Sequence, residues 1–372
     1  MQFMNATKLV ANFTMATDKA GREWLVVVAK GTYGIPTRSD TQPSLLEEQV
    51  ALVMTDVFSG EPGFSAPLYE NDFAPRKPRC DVLLNGSCHA PGGRGATTVP
   101  VGLRVGPIVK SFNVVGHRAW KPGVLTTSSG SPEPFVVMPL SYNNAYGGVD
   151  MPQEDPKAHS WYRANHVGVG YHPRSAGNAL AGKPMPNTEA IGDAVSSPGG
   201  NYTPMAFGPL ARSWPERVKW AGTYDQQWKE TTFPFLPHDF DERYFQSAPV
   251  DQQMDHVKGG EQLVLLNLSP RGRDTFTLPA MDVPVLVVWR SGKKDVQIGA
   301  VDTVIVEPDL YRFTLTSRAS FPLRRGIREV REVHVGRNYV PGEPIPEKPG
   351  KRRFASLADL TAATARTSDV QA

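Results

Sequence analysis

Cysteine is scarce in this chain. Of its 372 residues only Cys80 and Cys88 are cysteines, which argues against a disulfide-built secreted scaffold and is typical of the reducing cytoplasm. The segment Met1–Met15 lacks a basic stretch followed by an apolar core, so it does not resemble a signal peptide. The sequence therefore predicts a cytoplasmic location.

Long apolar runs and an excess of one charge are also lacking. The longest apolar run, Trp24–Ala29, has the length of a strand, whereas a membrane-spanning helix needs ~20 apolar residues. The net charge is only +3, and lysine and arginine are scattered apart from Arg324–Arg325 and Lys351–Arg353. These features predict a protein without a membrane span and without a nucleic-acid-binding surface.

Motifs of known chemistry are incomplete. The chain has no Gly-x-Ser-x-Gly elbow, no His-Glu-x-x-His and no complete phosphate loop. Gly168-Val169-Gly170 covers two-thirds of a dinucleotide fingerprint, but Tyr171 follows it where a helix should begin. We therefore predict no catalytic residue and no cofactor.

Two groups of residues have the ligand types of a zinc site. Cys80, Cys88 and His89 lack a fourth ligand and the short cysteine spacing of structural zinc, so a core cysteine and a turn are the favoured interpretation. The second group lies in one loop at spacings that match no helical or strand face. It consists of His159, His166 and His172. We predict no metal site in either group.

Acidic residues are densest at Asp239, Asp241 and Glu242. Two carboxylates at this spacing could act as acid and base or could hold calcium. Aspartate in the pattern Pro-x-Asp-Phe-Asp, here Pro237–Asp241, more often caps a turn, with its oxygens accepting hydrogen bonds from neighbouring amides. A capped turn is therefore the favoured interpretation.

Glycine and proline, 34 of each, are abundant and predict many turns and irregular connections. Apolar residues on both faces of Trp24–Ala29 predict a strand buried on both sides. Further strands are predicted in the N-terminal part at Cys80–Leu84, Leu103–Gly106 and Lys110–Val115. A C-terminal antiparallel meander is predicted from Gln262–Leu268, Thr275–Leu278, Pro284–Arg290, Thr303–Glu307 and Tyr311–Ser317. Both parts are expected to pack together.

The predicted fold is mainly β, with sandwich-like antiparallel sheets, a long loop-rich and aromatic-rich middle, and few short helices. Residues 1–340 are predicted to form one elaborated β domain, strand-rich over 1–130, loop-rich over 131–260 and strand-rich over 261–340. The best helix in the middle is Arg217–Trp228, although Gly222 interrupts it. Residues 341–372 form a linker and tail with a short helix over 354–363, whose apolar stripe comprises Phe354, Leu357 and Leu360.

Tryptophan is the residue type most suited to anchoring a partner protein in this sequence. Four tryptophans in the middle region are partner-binding candidates, together with the apolar stripe of the tail. They are Trp161, Trp214, Trp220 and Trp228. The alternative is that these side chains form the core of the loop-rich middle.

A series of short blocks spans nearly all of residues 1–336. The longest runs from Asp72 to Gly93, and its prolines exclude a helix over residues 72–79. The others are Lys30–Tyr33, Gly116–Trp120, Met138–Tyr142, Ala145–Gly148, Asn165–Tyr171, Pro186–Glu189, Phe207–Leu210, Gly222–Asp225 with Trp228, Pro237–Phe245, Ala248–Pro249 with Asp251–Gln253, and Gly259–Glu261. Taken in chain order, the blocks resemble a bacterial domain-of-unknown-function family found beside type VI secretion genes. One departure is His166, which stands where the family is expected to have proline.

The resemblance implies an adaptor or chaperone for a toxic effector. Such a protein holds the effector in the cytoplasm and loads it onto the secretion spike, which consists of a VgrG protein and a PAAR-repeat tip. The family offers no catalytic residues to transfer to this chain. Two alternatives stay open: a carbohydrate-active or other hydrolase on a β scaffold, acting through Asp239, Asp241 or Glu242 near Trp228 and the histidine loop, and a structural piece of the spike.

Overall fold

The computed structural model describes residues 1–37, 42–121, 127–151, 159–173 and 177–336. Within these ranges the chain is mainly β. Its strands are, in chain order, β1 (Gln2–Asn5), β2 (Val10–Thr17), β3 (Glu23–Gly34), β4 (Val57–Phe58), β5 (Pro67–Tyr69), β6 (Cys80–Leu84), β7 (Gly86–His89), β8 (Thr98–Val105), β9 (Ile108–Val115), β10 (Trp120–Lys121), β11 (Ser128–Ser129), β12 (Val137–Leu140), β13 (Tyr146–Gly147), β14 (Val149–Asp150), β15 (Ser160–Trp161), β16 (Val169–Gly170), β17 (Thr188–Glu189), β18 (Gln253–Met254), β19 (Gln262–Leu266), β20 (Arg273–Thr277), β21 (Pro284–Trp289), β22 (Lys294–Ile298), β23 (Ala300–Glu307), β24 (Arg312–Pro322) and β25 (Val330–Val335).

Helices are few and short in the described part of the chain. The α-helices are α1 (Pro215–Val218) and α2 (Gln226–Thr231), and the 3-10 turns are Pro91–Gly93, Tyr142–Asn144, Gly177–Leu180, Glu242–Phe245, Val250–Gln252, Pro308–Leu310 and Ile327–Glu329. The prediction of one helix over Arg217–Trp228 is wrong. Gly222 has a φ of +83°, a left-handed conformation that ends a right-handed helix. Asp225 then starts α2 as a new helix, because its carboxylate accepts a hydrogen bond from the Trp228 amide at 2.8 Å.

The largest sheet has six strands in the order β18-β6-β23-β24-β3-β2. The β6–β23 pair is parallel, and the other neighbours are antiparallel. Strand β3 is buried on both faces over residues 25–33, which confirms the prediction made for Trp24–Ala29. Because β3 pairs with β24 along almost its whole length, the N-terminal and C-terminal parts of the chain form one sheet.

A five-stranded sheet (β17-β9-β8-β19-β20) and a four-stranded sheet (β1-β25-β21-β22) pack with the first around a shared hydrophobic core. Phe313 of β24 stacks on Phe276 of β20, with ring centroids 5.3 Å apart, and on Tyr33 of β3 at 5.4 Å. The predicted class, mainly β with packed antiparallel sheets, is therefore confirmed.

The C-terminal meander is not observed. Its predicted strands exist as β19, β20, β21, β23 and β24, but they belong to three different sheets. Each hairpin finds its next neighbour far away in sequence: β19 pairs with β8, β21 with β25 and β24 with β3. Strand patterns fix which face of a strand is buried but not which strand lies beside it, so sequence order suggested the wrong neighbours.

The outer face of the six-stranded sheet carries a buried network of charged side chains, covered by residues 42–79 and 206–256. The acids are Glu70, Asp72, Asp81 and Asp302, and the bases are Lys30, Lys77, Arg217 and Arg318. Lys30 pairs with Asp72, and Arg318 donates to Asp302 Oδ2 at 2.6 Å. Four acids thus face four bases, which lets all eight charges stay out of water.

Asp81, at the start of β6, is the most enclosed acid of this network. Its carboxylate accepts hydrogen bonds from Lys77 Nζ at 2.7 Å, from Gln246 Nε2 at 2.7 Å and from the Ser247 amide at 2.8 Å. Burial opposes the charge on Lys77, but Asp81, Glu70 and Asp302 outweigh burial and raise its pKa above the usual 10.5. The network therefore ties two covering segments to the sheet through charged hydrogen bonds.

Residues Met1–Arg337 form one compact unit. The predicted tail helix with Phe354, Leu357 and Leu360 lies outside the described residues. The domain boundary at residue 340 stays a prediction.

Candidate functional site

An open groove of about 740 Å³ lies where the loop-rich middle meets β9 and the residues before β18. We call it the aromatic groove. Its lining comprises Arg79, Lys110, Tyr142, Tyr162, Ala164, residues 201–205, Leu210, Glu216, Arg217, Trp220, Arg243, Gln246, residues 248–251 and Gln253. Aromatic, aliphatic and charged side chains therefore line one depression, and aromatic residues, methionine and arginine are enriched at protein interfaces.

One wall of the groove, residues 201–205, is held by a cluster of tyrosines. Tyr146 is buried and meets the rings of Tyr162 and Tyr202 edge-on, each at a centroid distance of 4.9 Å. The Tyr162 hydroxyl donates to the Tyr202 carbonyl at 2.7 Å. Each phenol packs its ring and also satisfies its hydroxyl, so an irregular segment becomes a fixed wall.

The opposite wall presents Trp220 beneath a fixed arginine. The Arg243 guanidinium lies 3.3 Å from the Trp220 ring centroid, a cation–π contact. Asp241 orients Arg243 by accepting from its Nε at 2.9 Å and from its Nη2 at 2.7 Å. Since Arg243 also lowers the pKa of Asp241 through these hydrogen bonds, the carboxylate stays ionised and the stack stays in place.

Arg217 of α1 supports this wall from below. Its side chain is 3% exposed, and it donates to the Leu210 and Tyr244 carbonyls and to Glu70 Oε1 at 2.6 Å. Glu70 is a member of the buried charge network under the groove. The groove is therefore joined rigidly to the six-stranded sheet.

Two further cations meet at residues 251–253 on the remaining side of the groove. Lys110 of β9 donates to Gln252 Oε1 at 2.8 Å and approaches Asp251 Oδ2 at 3.1 Å. Arg79 donates to the Gln253 carbonyl at 3.1 Å. Gln252 is fully buried and donates to the Val82 and Phe207 carbonyls, which fixes this segment against the core.

A second exposed aromatic surface, which we call the aromatic patch, surrounds α2. It consists of Tyr224, Trp228, Phe233 and Phe235. Trp228 lies 4.8 Å from the Tyr224 ring and 5.6 Å from the Phe233 ring, and its Nε1 donates to the Phe235 carbonyl at 2.9 Å. Exposed apolar clusters of this kind often mark contacts with other proteins.

The predicted partner-binding tryptophans occupy four different environments. Trp161 is 64% exposed on β15, next to Val149 on the paired strand β14. Trp214 is 2% exposed and packs edge-on against Tyr142 inside a small core, so its ring is not available at the surface. Trp220 lines the aromatic groove, and Trp228 belongs to the aromatic patch. The structure therefore does not bring the four together at one site.

The three residues of the acidic cluster have different partners. Asp239 accepts hydrogen bonds from the Thr223 amide at 3.0 Å and from its hydroxyl at 2.8 Å. Asp241 caps the turn Glu242–Phe245 by accepting from the Arg243 amide at 2.9 Å. The favoured interpretation is therefore confirmed for Asp241, whereas Asp239 joins a segment sixteen residues away and Glu242 lies 3.5 Å from Arg76 Nε in an exposed ion pair.

The histidines contact different partners, and His89, which follows Cys88, lies 3.1 Å from Asp309 Oδ1. His166 Nε2 is 3.1 Å from the Gly63 carbonyl, and His172 Nδ1 is 3.3 Å from Asp150 Oδ1. Among the described residues no group of three or more histidine, cysteine, aspartate or glutamate side chains could hold a metal ion. Cys80 and Cys88 are free thiols in the core.

Both thiols are expected to resist alkylation in the folded protein. Burial raises the pKa of Cys88 to about 12 and that of Cys80 well above 9, and the thiolate is the reactive form. Iodoacetamide at pH 8 should therefore modify neither cysteine natively and both in urea, as measured by mass spectrometry. Ser213→Cys, at an exposed position, is the reactive control; fast native alkylation of Cys80 or Cys88 would contradict the burial.

Several groove residues could not be identified from the sequence. Lys110, Tyr202, Arg243 and Gln253 come from four separate segments, and no motif links them. One indication of their importance was present in the sequence: the blocks Pro237–Phe245 and Asp251–Gln253 are among those that resemble the family. That resemblance assigned no role to their side chains.

A second cavity of about 710 Å³ lies near β10. Its lining includes His117, Arg118, Trp120 and Asn187. Arg118 pairs with Glu189 at its inner side, and both side chains are buried. Its tryptophan, Trp120, is buried, whereas the aromatic groove presents Tyr162, Tyr202 and Trp220, so the aromatic groove is the stronger candidate for binding a protein.

Three packed sheets with a loop-rich middle that carries an aromatic groove define a mainly β protein with few short helices. The chain belongs to the bacterial family described as "Uncharacterized protein conserved in bacteria (DUF2169)", whose model matches residues 20–318. The comparisons with curated proteins and with solved structures found no match. In the part of the chain that the structure describes, every helix is too short or too polar to cross a membrane.

Proposed function

We propose that this protein is an effector adaptor and chaperone of a type VI secretion system. In this proposal it binds a toxic effector stoichiometrically in the cytoplasm and aids its loading onto the VgrG and PAAR spike. Membership of the bacterial family is consistent with the proposal, and the ordered sequence blocks that resemble a family found beside secretion genes support it.

The observation that carries the binding part of the proposal is the aromatic groove. Trp220, Tyr162 and Tyr202 face one depression, and aromatic side chains are the usual anchors of protein interfaces. Their supports are already in place before a partner arrives: the tyrosine cluster on one wall and the Asp241–Arg243 pair on the other. A preorganised surface loses less entropy on binding, which favours affinity.

Co-purification with the product of a neighbouring effector gene tests the proposal. The full chain should form a stable complex with that effector, and deletion of the adaptor should abolish secretion of the effector. Trp220→Ala should weaken the complex by about 2 kcal/mol or more, about 30-fold in Kd, because an interface tryptophan is lost. Isothermal titration calorimetry gives the affinity, and thermal unfolding of the variant checks its fold.

Trp161→Ala is the matched control, since it removes the same side chain from an exposed position on β15. Trp161 is not among the side chains that line the groove, so the complex should be retained. An effector that is soluble and secreted without the adaptor would overturn the proposed function. Loss of binding in Trp161→Ala but not in Trp220→Ala would instead place the contact outside the groove.

A further inference from the structure

The charges that line the aromatic groove are not balanced. Four cations face it, Arg79, Lys110, Arg217 and Arg243, against two carboxylates, Glu216 and Asp251. Arg217 is neutralised from below by Glu70, and Arg243 is neutralised by Asp241. Glu216 is already paired with Lys219 at 2.6 Å on the surface. The excess positive charge therefore lies on Arg79 and Lys110, the two cations that contact residues 251–253.

Arg79 is one of these cations. Its side chain is exposed, and its guanidinium donates to the Gln253 carbonyl. Within the described residues no carboxylate lies within ion-pair distance of it. The guanidinium has five donors on a planar group, which suits a carboxylate bound through both oxygens. Arg79 can therefore bind a partner's carboxylate without breaking an existing ion pair.

Lys110 is the other cation, and its charge is only partly compensated. The Lys110 side chain is 7% exposed, whereas that of its partner Asp251 is 56% exposed, so water screens the carboxylate more than the ammonium. Burial outweighs the opposing effect of Asp251 and lowers the pKa of Lys110. A second carboxylate near Lys110 would compensate its positive charge more fully.

Apolar surface lies beside these two cations. The groove offers Tyr202, Met205, Trp220 and Pro249 within the same depression. A ligand that satisfies both kinds of surface carries carboxylates together with apolar side chains. The chain's own residues 338–372 contain five lysines and arginines and four aspartates and glutamates, so this nearly balanced tail does not have that chemistry.

We propose that the aromatic groove binds an acidic segment of the partner protein, with carboxylates placed at Arg79 and Lys110 and an apolar side chain placed against Trp220. This inference rests on the proposed function only in its choice of partner, because the charge preference belongs to the groove itself. It specifies the kind of segment that the adaptor would hold.

Peptide binding tests the preference directly. The probes are three fluorescein-labelled ten-residue peptides in which Leu alternates with Glu, with Gln or with Lys, and the readout is fluorescence anisotropy with the full chain. The Glu peptide should bind about tenfold more tightly than the Gln peptide and should weaken as NaCl is raised. Equal binding of the Glu and Gln peptides, tighter binding of the Lys peptide, or no binding of any peptide would overturn the proposal.

Charge-removing variants assign the effect to named residues. Arg79→Gln should weaken the Glu peptide about twofold to fivefold, as for an exposed ion pair. Lys110→Gln should weaken binding of the Glu peptide about tenfold, because it removes a buried charge. The glutamine amide can still donate a hydrogen bond to Gln252, so the fold should be kept. Neither variant should change binding of the Gln peptide. Lys229→Gln on α2, outside the groove, is the matched control and should bind like the unaltered chain.

The outcomes separate this inference from the proposed function. If an effector co-purifies and Arg79→Gln and Lys110→Gln leave its affinity unchanged, the acidic preference is wrong while the adaptor function stands. If no neighbouring effector binds but the Glu peptide binds through Arg79 and Lys110, the groove preference stands and the adaptor function is wrong.

Discussion

Asp81→Asn should destabilise the protein by about 3–5 kcal/mol, because the substitution leaves a buried lysine without its closest counter-charge. The Asp81 side chain is fully buried, and Lys77 Nζ lies 2.7 Å from one of its oxygens. Two acids then remain near Lys77: Glu70, at 3.9 Å, and Asp302. Asparagine has nearly the same shape as aspartate, so the loss reports charge and the hydrogen bonds that the carboxylate accepts, and not packing. Urea unfolding followed by tryptophan fluorescence measures it.

The pH dependence of this variant supplies an independent check. The native pKa of Lys77 is raised, so its charge contributes stability that is fully present below about pH 10.5 and is lost as the pH rises through the native pKa. The stability difference between Asp81→Asn and the unaltered chain should therefore be large at pH 8 and smaller at pH 11. A difference that does not change with pH would contradict the role assigned to Lys77.

Glu216→Gln provides the surface control for Asp81→Asn. Glu216 also pairs with a lysine, Lys219, but both side chains are about half exposed. Such pairs contribute about 1 kcal/mol or less. If both variants lose the same free energy of unfolding, the buried Lys77–Asp81 pair contributes no more than a surface pair. The charge network would then not be what holds residues 42–79 on the sheet.

The block from Asp72 to Gly93 shows what sequence patterns could predict. Cys80–Leu84 was predicted as a strand and is β6 with those bounds, because its apolar side chains fit a two-sided buried strand. The prolines correctly excluded a helix before it. The distant partners of its charged residues were not predictable. Asp72 pairs with Lys30, Lys77 donates to Thr303 as well as to Asp81, and Asp81 also accepts from Gln246.

The groove was less predictable than the fold for the same physical reason. Trp220 was a candidate because tryptophan is informative at a single position, whereas Arg243 gains its meaning only when it stacks on that ring. Trp214 looked equivalent to Trp220 in sequence, yet it packs against Tyr142 in a core. Burial depends on contacts between separate segments, so residue type alone could not distinguish the two.

Arg217→Met should cost about 3–5 kcal/mol of stability and should also remove the effector binding that we propose. Methionine fills much of the same volume but cannot donate to Tyr244, Leu210 or Glu70. Glu70 would then keep a buried charge with weaker compensation from Arg212 and Lys77. Since Arg217 anchors the helix that precedes Trp220, we expect the groove wall to shift. Urea unfolding and calorimetric titration with the effector measure the two effects.

Arg212→Met distinguishes this anchoring role from a general effect of charge near Glu70. Arg212 also contacts Glu70 Oε1, at 3.1 Å, but its side chain is 32% exposed, so its loss should cost about 1 kcal/mol or less and leave binding intact. Arg217→Met assayed at a temperature where it remains folded should still bind poorly. Full binding under those conditions would mean that the groove wall does not depend on Arg217, and that the buried network stabilises the fold without shaping the site.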